Sequence, residues 1–393
     1  MMQLLQQVAI PRAVGTEGNN RIIKLQEKML GESGYTIKSM PFLCKVWDTA
    51  YSWIEWENKE LEIRVSPYSK GFIGEGVARI ANTLEELTEL SCENAILFLA
   101  GELAKEPLQP KNYPFYFPKE HEIMINLLEE KKPAAIIAVT GKHPMCGLNP
   151  YPLFEDGNFQ IPSGYVSVSD LKKIKENIIG KNVSVHITSN CIETKSKQII
   201  ANKSVKKPAG KIVICGHMDS KNHTQGALDN ATGVVALLKT AERLKLKKYD
   251  VDIVPFNTEE YYGANGELIY LEEVKNENEK IDLLINIDSV GHIGSKAAVS
   301  LYHIPEMLKT HITDIIRKRK NMQTGESWYA GDHAAFSFLG VPCLAITSSD
   351  IGEGGLDCTH TMEDTLQTVD EKLLVETVSF IEELLNVVDA SCL

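Results

Sequence analysis

The chain has 393 residues, enough for two domains, and a composition ordinary for a soluble globular protein. Its 53 acidic residues outnumber the 41 lysines and arginines, giving a formal charge of −12. That balance excludes a general nucleic-acid binder, whose affinity rests on neutralising phosphates, and no basic amphipathic stretch marks a membrane surface.

Met1 to Ile10 lacks a basic start, and its apolar part is broken by Gln3, Gln6 and Gln7, so it reads as a short helix rather than a signal peptide. No apolar run is long enough to cross a bilayer. The eight cysteines include no CxxC pair, and the reading is of free thiols in a cytoplasmic protein. Pro11 to Asn20 is a Gly- and Asn-rich loop. Ile22, Ile23, Leu25, Met29 and Leu30 then have helical spacing, ending near Gly31 or Gly34, and a first strand is expected over Tyr35 to Phe42.

The texture changes between about Ala50 and Cys191. Strands are expected over 61–65, 95–99, 134–139, 164–168 and 183–187, with a helix over 121–130 and long Pro-, Gly- and Tyr-rich loops between them. His121, His143 and His186 fall here, but none sits beside a carboxylate in a plausible chelating turn, so this stretch reads as a β-rich insert without chemistry of its own. The domain expectation is therefore a discontinuous domain of residues 1–49 and 192–393, interrupted by residues 50–191.

After residue 198 strands and helices alternate: 211–215, a helix to 245, 251–256, helix 267–274, 283–287, 299–302, helix 305–319, 341–346 and helix 371–388. The fold class is α/β. Its polar residues collect at strand ends. Lys211 to Cys215 is apolar and β-branched, and it runs into Gly216, His217, Met218 and Asp219; Asp229 opens the next helix. The strand 251–256 is followed by Glu259 and Glu260, the strand 283–287 by Asp288, and a Gly-rich loop leads to Cys358 and His360. Each residue alone has a plain structural explanation, Asp229 as a helix cap or Asp288 as a turn former. Gathered at the carboxyl edge of one sheet, where ligands bind in α/β folds, they would repel unless divalent cations balanced them. His with carboxylates suits zinc. A Cys358 ligand is the less favoured option among hard oxygen donors.

These motifs resemble the zinc-dependent exopeptidases of the bacterial leucyl aminopeptidase and glutamate carboxypeptidase family. The resemblance rests on Gly216–Ser220 (GHMDS), Gly226–Gly233 (GALDNATG), the Glu259-Glu260 pair, Ile287-Asp288 and His360–Thr365 (HTMEDT), in order and approximate spacing. Pro11 to Asn19 is similar to the family's N-terminal segment, and residues 50–191 to the protease-associated domain often inserted there. The resemblance implies a mixed, mostly parallel sheet sandwiched by helices with a smaller β-rich inserted domain. It implies two Zn²⁺ per chain bridged by Asp229, with His217 and Asp288 completing one site and Glu260 and His360 the other. Asp219 would orient His217, Glu259 would be the general base, and His223 is excluded as a ligand. The segment Tyr261 to Glu267 departs from the family's usual Gly-Leu-x-Gly-Ser turn and has no serine.

The expected function is a two-zinc aminopeptidase that removes N-terminal residues from short peptides through a metal-bridged hydroxide, with Glu259 moving the proton. Asp332 and His333 are candidates for orienting substrate. The insert is expected to act as a lid that limits substrate size. A carboxypeptidase or dipeptidase on the same fold is the closest rival. It needs a cation for the substrate carboxylate, and Arg243, Arg317 and Arg319 all fall in predicted helices away from the motif edge. A glutaminyl-cyclase-like transferase and a non-catalytic peptide-binding relative are further alternatives. Partners are limited to short peptides, without nucleic acid or membrane, and a homo-oligomer is left open.

Overall fold

The computed structural model describes residues 1–277 and 280–391 and divides into two compact units, Met1–Cys44 with Lys195–Leu393, and Lys45–Thr194. The sequence reading puts the crossings at 49/50 and 191/192. Among the described residues no helix is long and apolar enough to cross a membrane. The described cysteines are all free, and Cys392 lies outside the described residues.

The larger unit is built on strands β1 (Thr36–Thr49), β2 (Ser189–Lys203), β3 (Gly210–His217), β4 (Tyr249–Phe256), β5 (Ile281–Ile287), β6 (Ala297–Tyr302), β7 (Met322–Thr324) and β8 (Cys343–Ser348). They form one sheet in the order β1-β2-β4-β3-β5-β8-β6-β7. The pairs β3/β4, β3/β5, β5/β8 and β6/β7 are parallel, while β2/β4 and β6/β8 are antiparallel. The centre is β3, whose Ile212 to Cys215 are fully buried, as a β-branched run covered on both faces requires. The helices are α1 (Met2–Val8), α2 (Glu17–Glu32), α3 (Thr232–Arg243), α4 (Asn265–Asn276), α5 (Glu306–Arg317), α6 (His333–Ser337) and α7 (Glu371–Ser391). The spacing of Val234, Leu237, Leu238 and Ala241 gives α3 its buried face, and these side chains join Ile212, Ile214 and Ile285 in one core.

Two glycines let the backbone come close where α3 meets the strand ends. A Cβ on Gly216 would lie 2.4 Å from the Ile287 carbonyl oxygen. One on Gly233 would lie 2.2 Å from Asn230 Oδ1 and 2.4 Å from the same carbonyl. Asn230 fills the space they leave: its Nδ2 donates to Ile287 O at 2.9 Å, and its Oδ1 accepts from Gly233 N at 2.8 Å and Ser289 N at 3.1 Å. One side chain thus ties the start of α3 to the end of β5.

The smaller unit is also a mixed sheet. Phe72–Ala81, Ile96–Leu99, Ala135–Thr140 and Ser163–Ser167 pair in parallel, and Trp53–Trp56, Lys59–Glu62, Asn182–Ile187 and Arg64–Val65 add antiparallel edges. The sequence reading has no strand over Phe72–Ala81, where Gly74 and Gly76 interrupt the β-branched signal. The histidines of this unit serve the scaffold. His121 Nδ1 accepts from Gln109 N at 3.0 Å, His143 Nδ1 accepts from Met145 N at 3.0 Å, and the His186 ring stacks on Trp53 at 4.3 Å.

Candidate metal centre

His217 is the last residue of β3. The parallel pairing of Ile214 with Ile285 and Cys215 with Asn286 carries Asp288, just past β5, to the same level of the sheet. Phe256 pairs with His217, so the residues after β4 emerge on the other side. Glu259 and Glu260 lie in a turn beyond the strand rather than in extended chain. The turn closes on Thr258, whose hydroxyl donates to Glu267 Oε2 at 2.8 Å and accepts from Gly266 N at 2.6 Å. His360 ends a run of turns from residue 349 and has a positive φ of 61°.

These elements bring five expected ligands into two groups that share Asp229: His217, Asp229 and Asp288, and Asp229, Glu260 and His360. Asp229 Oδ1 is 3.1 Å from His217 Nε2, and Asp229 Oδ2 is 3.1 Å from His360 Nε2. His217 Nε2 is also 3.5 Å from Asp288 Oδ1, and His360 Nε2 is 3.0 Å from Glu260 Oε1. Donor atoms about 2.0 Å from one zinc at tetrahedral angles stand roughly 3.3 Å apart. The separations fit that spacing in both groups. Cys358 is not in either group; its thiol faces Gly355 O at 4.0 Å. His223 is likewise outside them.

The backbone carrying Asp229 is held from two sides. Asp364 Oδ1 accepts from Leu228 N at 2.6 Å and its Oδ2 from Asp229 N at 3.1 Å. Burial pushes the Asp364 carboxyl up to about 6, against those backbone donors. Arg12 is fully buried beneath the loop that follows His217. Its Nε donates to Met218 O at 2.7 Å, its Nη1 to Gln225 O at 2.6 Å and Ile10 O at 3.2 Å, and its Nη2 to Gly226 O at 2.9 Å. Burial lowers its pKa to about 10, while Asp364, Asp229, Asp219 and Glu260 act to raise it. Neither role is visible from local sequence, although Arg12 lies in the N-terminal segment that carries the family resemblance.

Burial disfavours a charged His217, yet Glu259, Asp288, Asp219 and Asp229 hold its pKa well above the ordinary imidazole value. Burial also acts upward on Asp229, but His217 and His360 keep it well below the usual carboxylate range. Glu260 is lowered to about 2: burial opposes ionisation, and His360 and Lys221 outweigh it. Glu259 goes the other way. Burial raises it, His217 opposes, and the charges of Glu260, Asp288 and Asp229 raise it further. It belongs to neither ligand group. Two adjacent carboxyls thus differ in proton affinity, the condition under which one can ligate while the other moves a proton.

Asp219 Oδ1 stands 3.8 Å from His217 Nδ1, longer than a hydrogen bond, and both atoms are buried without another partner. Its Oδ2 accepts from Glu260 N at 3.1 Å, so Asp219 links the His217 and Glu260 segments. Asp332 and His333 are buried at the start of α6. His333 Nε2 faces Trp328 O at 2.9 Å and its Nδ1 faces Asn286 Nδ2 at 3.3 Å. Burial keeps this imidazole below its usual pKa, so the neutral ring donates to Trp328 and accepts from Asn286. Both nitrogens are engaged by protein. The Asp332 carboxyl meets that of Glu267 in a side-chain hydrogen bond, and burial together with the charge of Glu267 raises the Asp332 pKa well above the carboxylate range.

A mixed, mostly parallel sheet thus carries two adjoining His–carboxylate groups at its carboxyl edge, an arrangement able to hold two metal ions. The sequence profile of peptidase family M28 matches residues 198–385. No curated protein matches the chain in sequence. Among solved structures, an aminopeptidase from Aneurinibacillus sp. strain AM-1 is similar over 98% of this chain and 92% of its own, at 17% identity and a TM-score of 0.74. A zinc aminopeptidase from Bacillus subtilis matches over 99% of this chain and 93% of its own, at 15% identity and a TM-score of 0.71. A peptidase M28 precursor from Shewanella amazonensis SB2B matches over 99% and 91%, at 18% identity and 0.67. At these identities the likeness is one of fold.

Proposed function

We propose that this protein is a two-zinc aminopeptidase acting on short peptides. The observation that carries the reading is Asp229, whose two oxygens each face a different histidine at 3.1 Å, as a carboxylate bridging two ions would. His217 and Asp288 would hold one ion with it, and Glu260 and His360 the other. Zinc bound there supplies an acidified water and a polarised peptide carbonyl. Glu259, outside both groups and with raised proton affinity, takes the proton at its carboxylate and returns it to the leaving amine. Asp219, whose Oδ1 stands 3.8 Å from His217 Nδ1, would orient that ring through its charge. Lys45–Thr194 would be a protease-associated-like insert; neither candidate ligand group among the described residues draws on it.

Aminopeptidase is favoured over carboxypeptidase by the arginines. Arg12 is committed to backbone carbonyls, Arg243 pairs with Glu382 at 3.7 Å, Arg319 with Glu383 at 2.7 Å, and Arg317 lies near Asp314 at 3.5 Å, leaving none of them at the ligand groups, and the lysine there, Lys221, is paired with Glu260 at 3.0 Å. The test compares Glu259→Gln with Glu260→Gln for zinc content and for turnover of leucine amide beside an N-blocked dipeptide. Glu259→Gln should keep its metal and lose roughly 10²- to 10⁴-fold in kcat. Glu260→Gln should lose metal together with activity. Near wild-type turnover in Glu259→Gln, or preferential cleavage of the blocked dipeptide, would refute the assignment.

A further inference from the structure

The second ligand group contains a cation that neither the motifs nor the proposed reaction uses. Lys221 Nζ lies 3.0 Å from Glu260 Oε2, with side-chain exposures of 21% for the lysine and 6% for the glutamate. The same ammonium donates to the Glu260 carbonyl oxygen at 3.4 Å. Asp219 Oδ2 accepts from the Glu260 amide at 3.1 Å. Glu260 is therefore held at its N–H, its C=O and one carboxylate oxygen, while Oε1 alone faces His360 Nε2 at 3.0 Å.

We propose that Lys221 is a positioning residue that restricts Glu260 to one ligating oxygen and so keeps a coordination position open for substrate at the Asp229–Glu260–His360 group. This rests on the two-metal reading above. A carboxylate beside a divalent cation can offer one or both oxygens, and a catalytic zinc needs a position not filled by protein. An ammonium 3.0 Å from Oε2 competes for that oxygen, and its charge opposes a second cation nearby. Lys221 therefore weakens the hold on that ion and in return prevents Glu260 from closing the site.

The test uses the full chain loaded with Co²⁺, whose visible absorption falls in intensity as its coordination number rises, together with metal competition by a chelator. Lys221→Met keeps the length of the stem and removes the charge, Lys221→Gln serves as a second neutral variant, and Lys221→Arg keeps the cation. The neutral variants should hold the second ion roughly 10- to 100-fold more tightly, the order expected from removing a positive charge close to a dication. They should also show a weaker cobalt band and a lower kcat with KM little changed, while Lys221→Arg stays near wild type. Weaker binding of the second ion in the neutral variants, or an unchanged affinity and spectrum, overturns this role while the two-metal reading stands. Failure of the wild-type chain to take up a second cobalt ion overturns both.

Discussion

Replacing Arg12 with methionine removes the guanidinium donors from the loop that follows His217 while keeping much of the side-chain volume. The carbonyls of Met218 and Gly226 receive buried hydrogen bonds from Arg12 at 2.7 and 2.9 Å, and those of Gln225 and Ile10 receive part-buried ones at 2.6 and 3.2 Å. Gly226 O keeps its bond from Ala231 N at 3.0 Å, so Met218 O is the buried acceptor left unpaired, at a cost of about 1–3 kcal/mol. Water can reach the part-buried pair, so they are left out of that figure. Domains are stable by only about 5–15 kcal/mol, so the larger unit should lose a measurable share of its stability. The cost should concentrate between Met218 and Asp229, loosening the bridging carboxylate. Hydrogen exchange read by mass spectrometry on peptides covering that segment, with urea unfolding of the same preparation, measures both effects. Arg12→Lys should fall between, since one ammonium cannot copy the guanidinium's fan of donors. Unfolding of Arg12→Met within about 0.5 kcal/mol of wild type, with unchanged protection of the segment, would refute the argument.

Asp364→Asn leaves only one acceptor oxygen for the two amides of Leu228 and Asp229. It should cost about 1–3 kcal/mol and reduce metal retention; unchanged zinc content and melting temperature would count against the role given to Asp364. Glu267→Gln should change how stability depends on pH. Burial raises the native pKa of Glu267, and the charge of Glu267 in turn raises Asp332. A carboxyl whose native pKa lies above its unfolded value loses stability as pH climbs from about 4.3 toward that native value. The variant's stability relative to wild type should therefore improve as pH rises above about 4.3, and a gap that stays flat in unfolding experiments would contradict the shift.

The strands of the larger unit were legible because runs such as Lys211 to Cys215 and Leu283 to Ile287 are apolar, short and followed at once by polar residues. Placing His217, Asp288 and Asp229 near one edge needed only strand direction and the start of one helix. Other features depend on contacts that no local pattern encodes. Arg12 meets Met218 across 206 residues of chain, and Asp364 meets Leu228 across 136. The turn that carries Glu259 and Glu260 has no local signature, because its closing bond joins Thr258 to Glu267 across an atypical segment. Helix α6 escaped notice because five residues cannot display a helical period. Lys221 looked like an ordinary loop lysine; only its distance to Glu260 distinguishes it.

The two donor groups are assembled from five separate places along the chain, between His217 and His360, with no pair at the spacing of a single helical turn. An unfolded chain therefore offers an incoming ion isolated donors, each a weak ligand. Affinity arises only once the central strands have paired and the late turn carrying His360 has closed over Asp229. An ion seated there binds the finished unit and ignores its precursors, so its binding free energy adds directly to the stability of the native state. Metal uptake during refolding would then time the last tertiary event rather than the first, and a chelator would selectively strip chains in which that closing turn is open.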